Sequence, residues 1–198
     1  MSRPLEVWFE FASTYSHPAV QRIEPLAKQA GVELRWRPFL LGPIFGKQGW
    51  NDSPFNIYPQ KGAYMWRDME RLCEKYGVAF RKPAKFPRNG ILPARCALAS
   101  ESQPWVGQFV RNVYNGNFVE DVDTMDPANV TRWLRQAGCP DPESLLAKVA
   151  TEEEKQKMRA RSDEAAALGI FGAPTFVVGK ELFWGNDRLE DALEWAVR

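Results

Sequence analysis

The chain has 198 residues, 44% of them hydrophobic, and 26 basic against 25 acidic side chains leave a formal net charge of +1. That length fits one domain, or one domain with a large insertion, and the balanced charge supplies no field to gather nucleic acid or an anionic membrane, so neither is expected as a partner. No apolar stretch approaches membrane-spanning length, the start shows no secretory h-region, and Cys73, Cys96 and Cys139 form no C-x-x-C pair, so a cytoplasmic protein whose cysteines act as small hydrophobes is expected.

Leu5, Val7, Phe9 and Phe11 alternate with Glu6, Trp8 and Glu10, which predicts a strand with one aliphatic and aromatic face. The run ends in Ser13-Thr14-Tyr15-Ser16. Ala19, Val20, Ile23, Leu26, Ala27 and Ala30 then follow helical spacing, and Gly31 stands where a left-handed residue commonly stops a helix. Residues 32–37 alternate again and predict a second strand, stopped by Pro38. Strand, helix, strand with short links implies a parallel βαβ unit.

Residues 39–61 are rich in Gly, Pro and Asn and are expected to form a long loop, a feature uncommon unless it is functional. Helical stripes follow. Met65, Met69, Leu72, Cys73 and Tyr76 form one, ended by Gly77; Val106, Phe109, Val110, Val113 and Tyr114 form another. Asp126-Pro127 opens a third, with Val130, Trp133, Leu134 and Ala137 inward, and Thr151-Glu152-Glu153-Glu154 is a capping box for a helix that runs to Leu168. The pattern then reverts to a β-hairpin, with strands at 175–178 and 181–184 around Gly179-Lys180, and to a last amphipathic helix carrying Leu189, Ala192, Leu193 and Ala196.

This order predicts an α/β chain: a thioredoxin-like fold with a large all-helical insertion. Residues 1–40 and 169–198 would form the thioredoxin-like domain, and residues 41–168 the inserted loop and helical domain, capping the active end of the sheet. In such a fold the turn from the first strand into the first helix carries C-x-x-C, and the helix terminus stabilises a thiolate there. Here Ser13 and Ser16 occupy those places. Serine forms no disulfide, so exchange is excluded at this turn, but a hydroxyl can donate a hydrogen bond to a thiolate brought by another molecule. The same two serines could simply cap the helix. Downstream, Ala173-Pro174-Thr175 stands where this fold places a cis-proline facing the first helix. Asn186 and Asp187, at the start of the last helix, read either as its cap or as a carboxylate and amide for an ammonium head group.

Six stretches carry a resemblance that spans nearly the whole chain: F-E-F-A-S-T-Y-S at 9–16, R-P-F-L-L-G-P-I-F at 37–45, P-Q-K-G-A-Y at 59–64, K-F-P-R-N-G-I-L-P-A-R at 85–95, F-G-A-P-T-F at 171–176 and F-W-G-N-D-R-L at 183–189. In these the chain resembles the 2-hydroxychromene-2-carboxylate isomerases and the related kappa-class glutathione transferases of the DsbA-like thioredoxin superfamily. The resemblance implies glutathione as cofactor. It places Ser13 at the glutathione sulfur and the backbone of Ala173, ahead of Pro174, beside the cysteinyl part. Lys61 falls at the glycyl carboxylate, and Asn186 with Asp187 at the γ-glutamyl end. Asn51, or by spacing Asp52, contributes from the long loop.

Where the family has S-P-Y/F-S, Thr14 replaces the proline, and where it often has Asp this chain has Glu10. The implied reaction is cis–trans isomerisation of a conjugated intermediate of aromatic degradation by reversible thiol addition, with a kappa-like transferase or a non-catalytic binding module as alternatives. A small aromatic second substrate would lie between the sheet and the inserted helices, with Phe45, Trp50 and Trp66 as candidate walls. Ser16, His17, Lys85, Arg88 and Asn89 are candidates to touch it, although Lys85 and Arg88 read equally as solvated loop charges and His17 as a partly exposed first-turn residue. A homodimer is a possible assembly.

Overall fold

A computed structural model describes residues 2–198. The elements in chain order are β1 (Leu5–Phe9), α1 (Ser16–Ala30), β2 (Leu34–Pro38), α2 (Leu41–Lys47), α3 (Pro54–Ile57), α4 (Pro59–Tyr76), α5 (Ile91–Ala99), α6 (Val106–Asn115), a π-helical turn (Gly116–Glu120), α7 (Pro127–Ala137), α8 (Pro142–Val149), α9 (Glu152–Ala167), β3 (Thr175–Val178), β4 (Glu181–Trp184), a 3-10 turn (Asn186–Arg188) and α10 (Leu189–Ala196). The strands form one four-stranded sheet in the order β2-β1-β3-β4. β1 and β2 pair in parallel, with Leu5 opposite Leu34 and Val7 opposite Trp36. β3 runs antiparallel to β1, Val7 facing Phe176, and β4 antiparallel to β3. This is the thioredoxin-like arrangement, its strands drawn from both ends of the chain and the block of helices lying between them in sequence.

Both faces of the sheet are covered. On one side Leu5, Val7 and Phe9 join Val20 and Ile23 of α1 and Phe176, and the same apolar cluster continues without a break into Phe109, Tyr114, Trp133 and Leu134 of the inserted helices. On the other, Trp8 packs with Phe39, Leu41, Ile44 and Ala165. The alternation in β1 therefore does not separate a buried face from a wet one: Trp8, on the face of Glu6 and Glu10, is fully buried because α2 and α9 roof that side. Arg37 bridges Glu6 and Glu101, and Arg161 of α9 also reaches Glu101, which ties this roof to the sheet.

Local signals explain the helix ends. Asp126 accepts from the Ala128 amide at 2.9 Å, Asp141 from Ser144 at 2.9 Å and Thr151 from Glu154 at 3.5 Å, each satisfying an otherwise orphaned N–H group. The structure also corrects several boundaries. β1 ends at Phe9, and residues 10–14 form a turn. β2 begins at Leu34 and includes Pro38. The expected loop at 39–61 holds α2 and α3 and the first turn of α4. α5 and α8 were not anticipated: α5 reads ILPARCALA, apolar on most of its circumference with Pro93 in its first turn.

Candidate functional site

A cavity of about 1160 Å³ opens where β1 runs into α1. Its floor is Glu10, Ala12, Ser13 and Thr14. Its walls come from α2 and the segment after it (Phe45, Trp50), from α3 and α4 (Phe55, Tyr64), from Phe86, and from Phe171 and Trp184 on either side of β3. Phe171 and Trp184 pack together with ring centroids 4.8 Å apart. A Cβ at Gly172 would lie 2.3 Å from the Trp184 indole nitrogen, so only glycine lets that indole lie over the turn.

Ser13 is held at the bottom of this space. Its amide donates to the Glu10 carbonyl at 2.8 Å. Its hydroxyl donates to the Ala173 carbonyl at 2.7 Å and accepts from the Ser16 amide at 3.3 Å. The serine thus serves as a helix-capping acceptor and also spans to the residue before Pro174, and the Ala173–Pro174 bond is cis. Gly185 donates to the Pro174 carbonyl at 2.9 Å, which fixes the β4 side of the cavity to the same turn. Thr14 is buried and its hydroxyl donates to the Met65 sulfur of α4 at 3.0 Å, so the turn is braced by a side-chain contact in place of a proline ring.

Lys61, in the first turn of α4, lies on the cavity rim with its ammonium 5.1 Å from the Tyr58 ring centroid, and no carboxylate among the described residues pairs with it. Asn51 and Asp52 both line the cavity. The Asp52 carboxylate is already engaged by the Ser53 amide and the Asn56 side chain, which leaves Asn51 as the one with a free amide. Asp187 does not line the cavity: it is exposed beside Gly185, where an added Cβ would lie 2.5 Å from its carboxylate oxygen, and that carboxylate lies 3.5 Å from the Arg188 guanidinium.

Other candidates are placed elsewhere. Asn186 is buried away from the cavity, its carbonyl oxygen taking a hydrogen bond from Arg22 of α1 at 3.2 Å. Ser16 is fully buried inside the first turn of α1. His17 is likewise buried, against the expectation of partial exposure: its Nε2 lies 2.8 Å from the Ala79 carbonyl, and the rings of Phe80, Tyr114 and Phe118 surround it. Burial without a counter-charge holds its pKa down at about 4, so it is a neutral core residue. Lys85 is exposed outside the cavity. Arg88 lines it, but its guanidinium is committed to Asp121 and to Asn117 of the π-helical turn. Asn89 also lines the cavity, while its side chain accepts from the Ile91 amide at the start of α5. Trp66 packs against Phe86 and Phe80 in a core cluster and not on the cavity.

Two residues that the sequence did not single out for a role stand in the site. Tyr15 faces the cavity and donates to Asp68 at 3.0 Å; burial, with the Asp68 carboxylate beside it, raises its pKa. Glu10 lies on the floor with no salt-bridge partner among the described residues, and burial raises its carboxyl to about 7. The one available signal was an acid inside the apolar run WFEFA, at the point where a strand must turn.

A family model described as a DSBA-like thioredoxin domain matches residues 4–195. A 2-hydroxychromene-2-carboxylate isomerase of Sphingobium xenophagum is 29% identical over 192 residues, covering 96% of both chains. Rat glutathione S-transferase kappa 1 is 26% identical over 201 residues, covering 95% of this chain and 88% of the relative. A solved structure of a 2-hydroxychromene-2-carboxylate isomerase superposes with a TM-score of 0.81 at 26% identity, covering 97% of this chain and 93% of the other.

Proposed function

The chain belongs to the family of DSBA-like thioredoxin domains, and on that premise we propose that it is a glutathione-dependent isomerase of the 2-hydroxychromene-2-carboxylate isomerase type, acting on a conjugated small molecule. The observation that carries this reading is Ser13: a hydroxyl at the N-terminus of α1, bridged to the Ala173 carbonyl at 2.7 Å, on the floor of a cavity that no cysteine lines. The residues present fit a zwitterionic tripeptide. Lys61 offers an unpaired cation for one carboxylate and Asn51 a free amide nearby. The Ala173 backbone supplies a pairing partner in the middle, and Asp187, just outside the cavity lining and shared with Arg188 at 3.5 Å, an exposed carboxylate for an ammonium at the far side.

Bound glutathione would supply a thiolate able to add reversibly to a conjugated carbon. The chain's own contribution is electrostatic and steric. The partial positive charge of the α1 terminus stabilises negative charge at that point, and the Ser13 hydroxyl would donate to it by turning its single proton away from the Ala173 carbonyl. Each unit of thiol pKa lowered there reflects about 1.4 kcal/mol. The aromatic walls exclude water and hold a flat second ligand. The volume of about 1160 Å³ exceeds the roughly 300–1,000 Å³ common for one small-molecule ligand, which supports two occupants. The kappa-type relative favours a second reading, a transferase whose product is the conjugate; product analysis separates the two. A binding module would bind glutathione without ionising it.

Ser13→Ala tests the proposal. Turnover is expected to fall roughly 100- to 1,000-fold, the cost typical of deleting one donor to a developing or resident anion. Folding stability is expected to change by only about 1 kcal/mol, and the ultraviolet thiolate signal of bound glutathione should be lost. Unchanged kinetics and an unchanged thiolate signal would overturn it.

A further inference from the structure

The geometry points to the Trp184 indole N–H as the donor that holds a negatively charged oxygen of the second ligand, beside Ser13 at the sulfur. This rests on the thiol-addition reading above and gives a β4 side chain a role beyond that of an aromatic wall.

The indole is fixed with its nitrogen edge over the turn before β3. Trp184 ends β4, opposite Thr175, the first residue of β3. Its ring lies back across the turn: a Cβ on Gly172 would stand 2.3 Å from Nε1, 3.0 Å from Cε2 and 3.2 Å from Cδ1. Phe171 packs on the same ring, with centroids 4.8 Å apart. The next residue is Ala173, whose carbonyl takes the Ser13 hydroxyl at 2.7 Å. The indole nitrogen and the Ser13 hydroxyl are therefore held against two consecutive residues of one turn, and all four residues line the cavity.

The donor is uncommitted. The Gly172 carbonyl takes the Thr175 hydroxyl at 2.8 Å and the Ala173 carbonyl takes Ser13, so the acceptors of the turn are already served. Among the described residues nothing accepts the Trp184 N–H, whereas Trp8 gives the same group to Glu6 at 3.1 Å. Trp184 is also 54% exposed, so a ligand can reach it. Other donors on the cavity are engaged or placed for the tripeptide: Arg88 is on Asp121 and Tyr15 on Asp68, while Lys61 and Asn51 share the opposite rim. Gln48, Gln60 and Tyr64 are exposed side chains on the helical side.

Reversible thiol addition needs such a group. When sulfur bonds to the carbon β to a carbonyl, the electron pair of the double bond moves to the carbonyl oxygen. When the C–S bond breaks, the pair returns, and no proton is gained or lost overall. A hydrogen bond to the charged oxygen is stronger than one to the neutral carbonyl, so a fixed donor there favours the addition step. The indole N–H is a donor only. It stabilises the oxygen without protonating it, which leaves the electron pair free to return.

The test loads the protein with S-methylglutathione, which has no thiol to ionise, and titrates two probes by tryptophan fluorescence. One is 4-nitrophenolate, a stand-in for the charged oxygen; the other is 4-nitroanisole, the same ring with that oxygen methylated. The phenolate-to-anisole affinity ratio is expected to be roughly tenfold higher in wild type than in Trp184→Phe, the share of one donor to a charged group. Gly172→Ala keeps the indole but crowds its nitrogen edge, and should lower the ratio in the same direction. In isotope-labelled protein, the indole N–H resonance that Trp184→Phe removes should move downfield with the phenolate and not with the anisole. An equal ratio in wild type and Trp184→Phe, an unshifted resonance, or no binding of either probe overturns the proposal. So does a Trp184→Phe protein that loses S-methylglutathione with its ratio intact, because the indole then serves the tripeptide. Failure of the thiol-addition reading looks different: calorimetry would find glutathione unbound, or bound without a thiolate signal, while the probe ratio stands.

Discussion

Burial acts on Glu10 and His17 in opposite directions, because it disfavours whichever form is charged. Glu10 rises from 4.5 to about 7 and His17 falls from 6.5 to about 4. A raised acid contributes stability below its unfolded pKa that is lost as pH rises through the folded value. A depressed histidine contributes stability above its unfolded pKa that is lost as pH falls through the folded value. Between pH 4.5 and 6.5 the two slopes therefore oppose each other, each about 1.4 kcal/mol per pH unit. Relative to wild type, Glu10→Gln is expected to gain stability as pH rises through that window, and His17→Phe to lose it. Denaturant titrations across the window check this, and parallel wild-type and variant curves would refute it. Neither value was legible in the sequence. His17 follows the S-x-x-S turn directly, a position open to solvent in many helices, and it is enclosed by Phe80, Tyr114 and Phe118 arriving from the insertion.

At the scale of elements, capping and periodicity made α1, α4, α6, α7, α9 and α10 readable, while α2, α3, α5 and α8 were not. Short helices bury little of their own surface and are held by neighbours more than by propensity, so their sequences carry weak periodic signals. α3 shows what holds such a piece in place. A Cβ at Gly62 would lie 2.1 Å from the Phe55 carbonyl oxygen, so the absence of a side chain lets α4 lie directly under α3 and presents Asn51 and Lys61 on one rim. Gly62→Ala is expected to cost about 1–3 kcal/mol of stability and to weaken glutathione binding by misplacing that rim. Calorimetry with a parallel denaturation curve checks both, and an unaltered dissociation constant would separate α3 from the binding site.

At the scale of the molecule, sheet and insertion share one apolar cluster, and no cysteine reaches the cavity. Cys73, Cys96 and Cys139 are buried, and burial raises the first to about 11 and the second to about 12. The native protein is therefore expected to resist aromatic disulfide reagents, to react fully only on unfolding, and to melt at the same temperature with and without reductant. Rapid native labelling would contradict this. Among the described residues no helix is long and apolar enough to cross a membrane.

What the sequence determined by itself was local: strand and helix periods, helix caps, a thioredoxin-like element order, and a turn from which both sulfurs are missing. Those follow from neighbours in the chain, and alternation or a cap needs nothing more. What the tertiary structure decided was which charges stay free. Arg88 and Lys85 look alike as loop cations, yet one is locked by Asp121 from beyond α6 and the other lies outside the cavity. Glu10 looks like one more acid until the cavity it lines draws it out of bulk water. Availability of a charge depends on partners distant in sequence and on the water that packing removes, and neither is written in the residue's own surroundings along the chain.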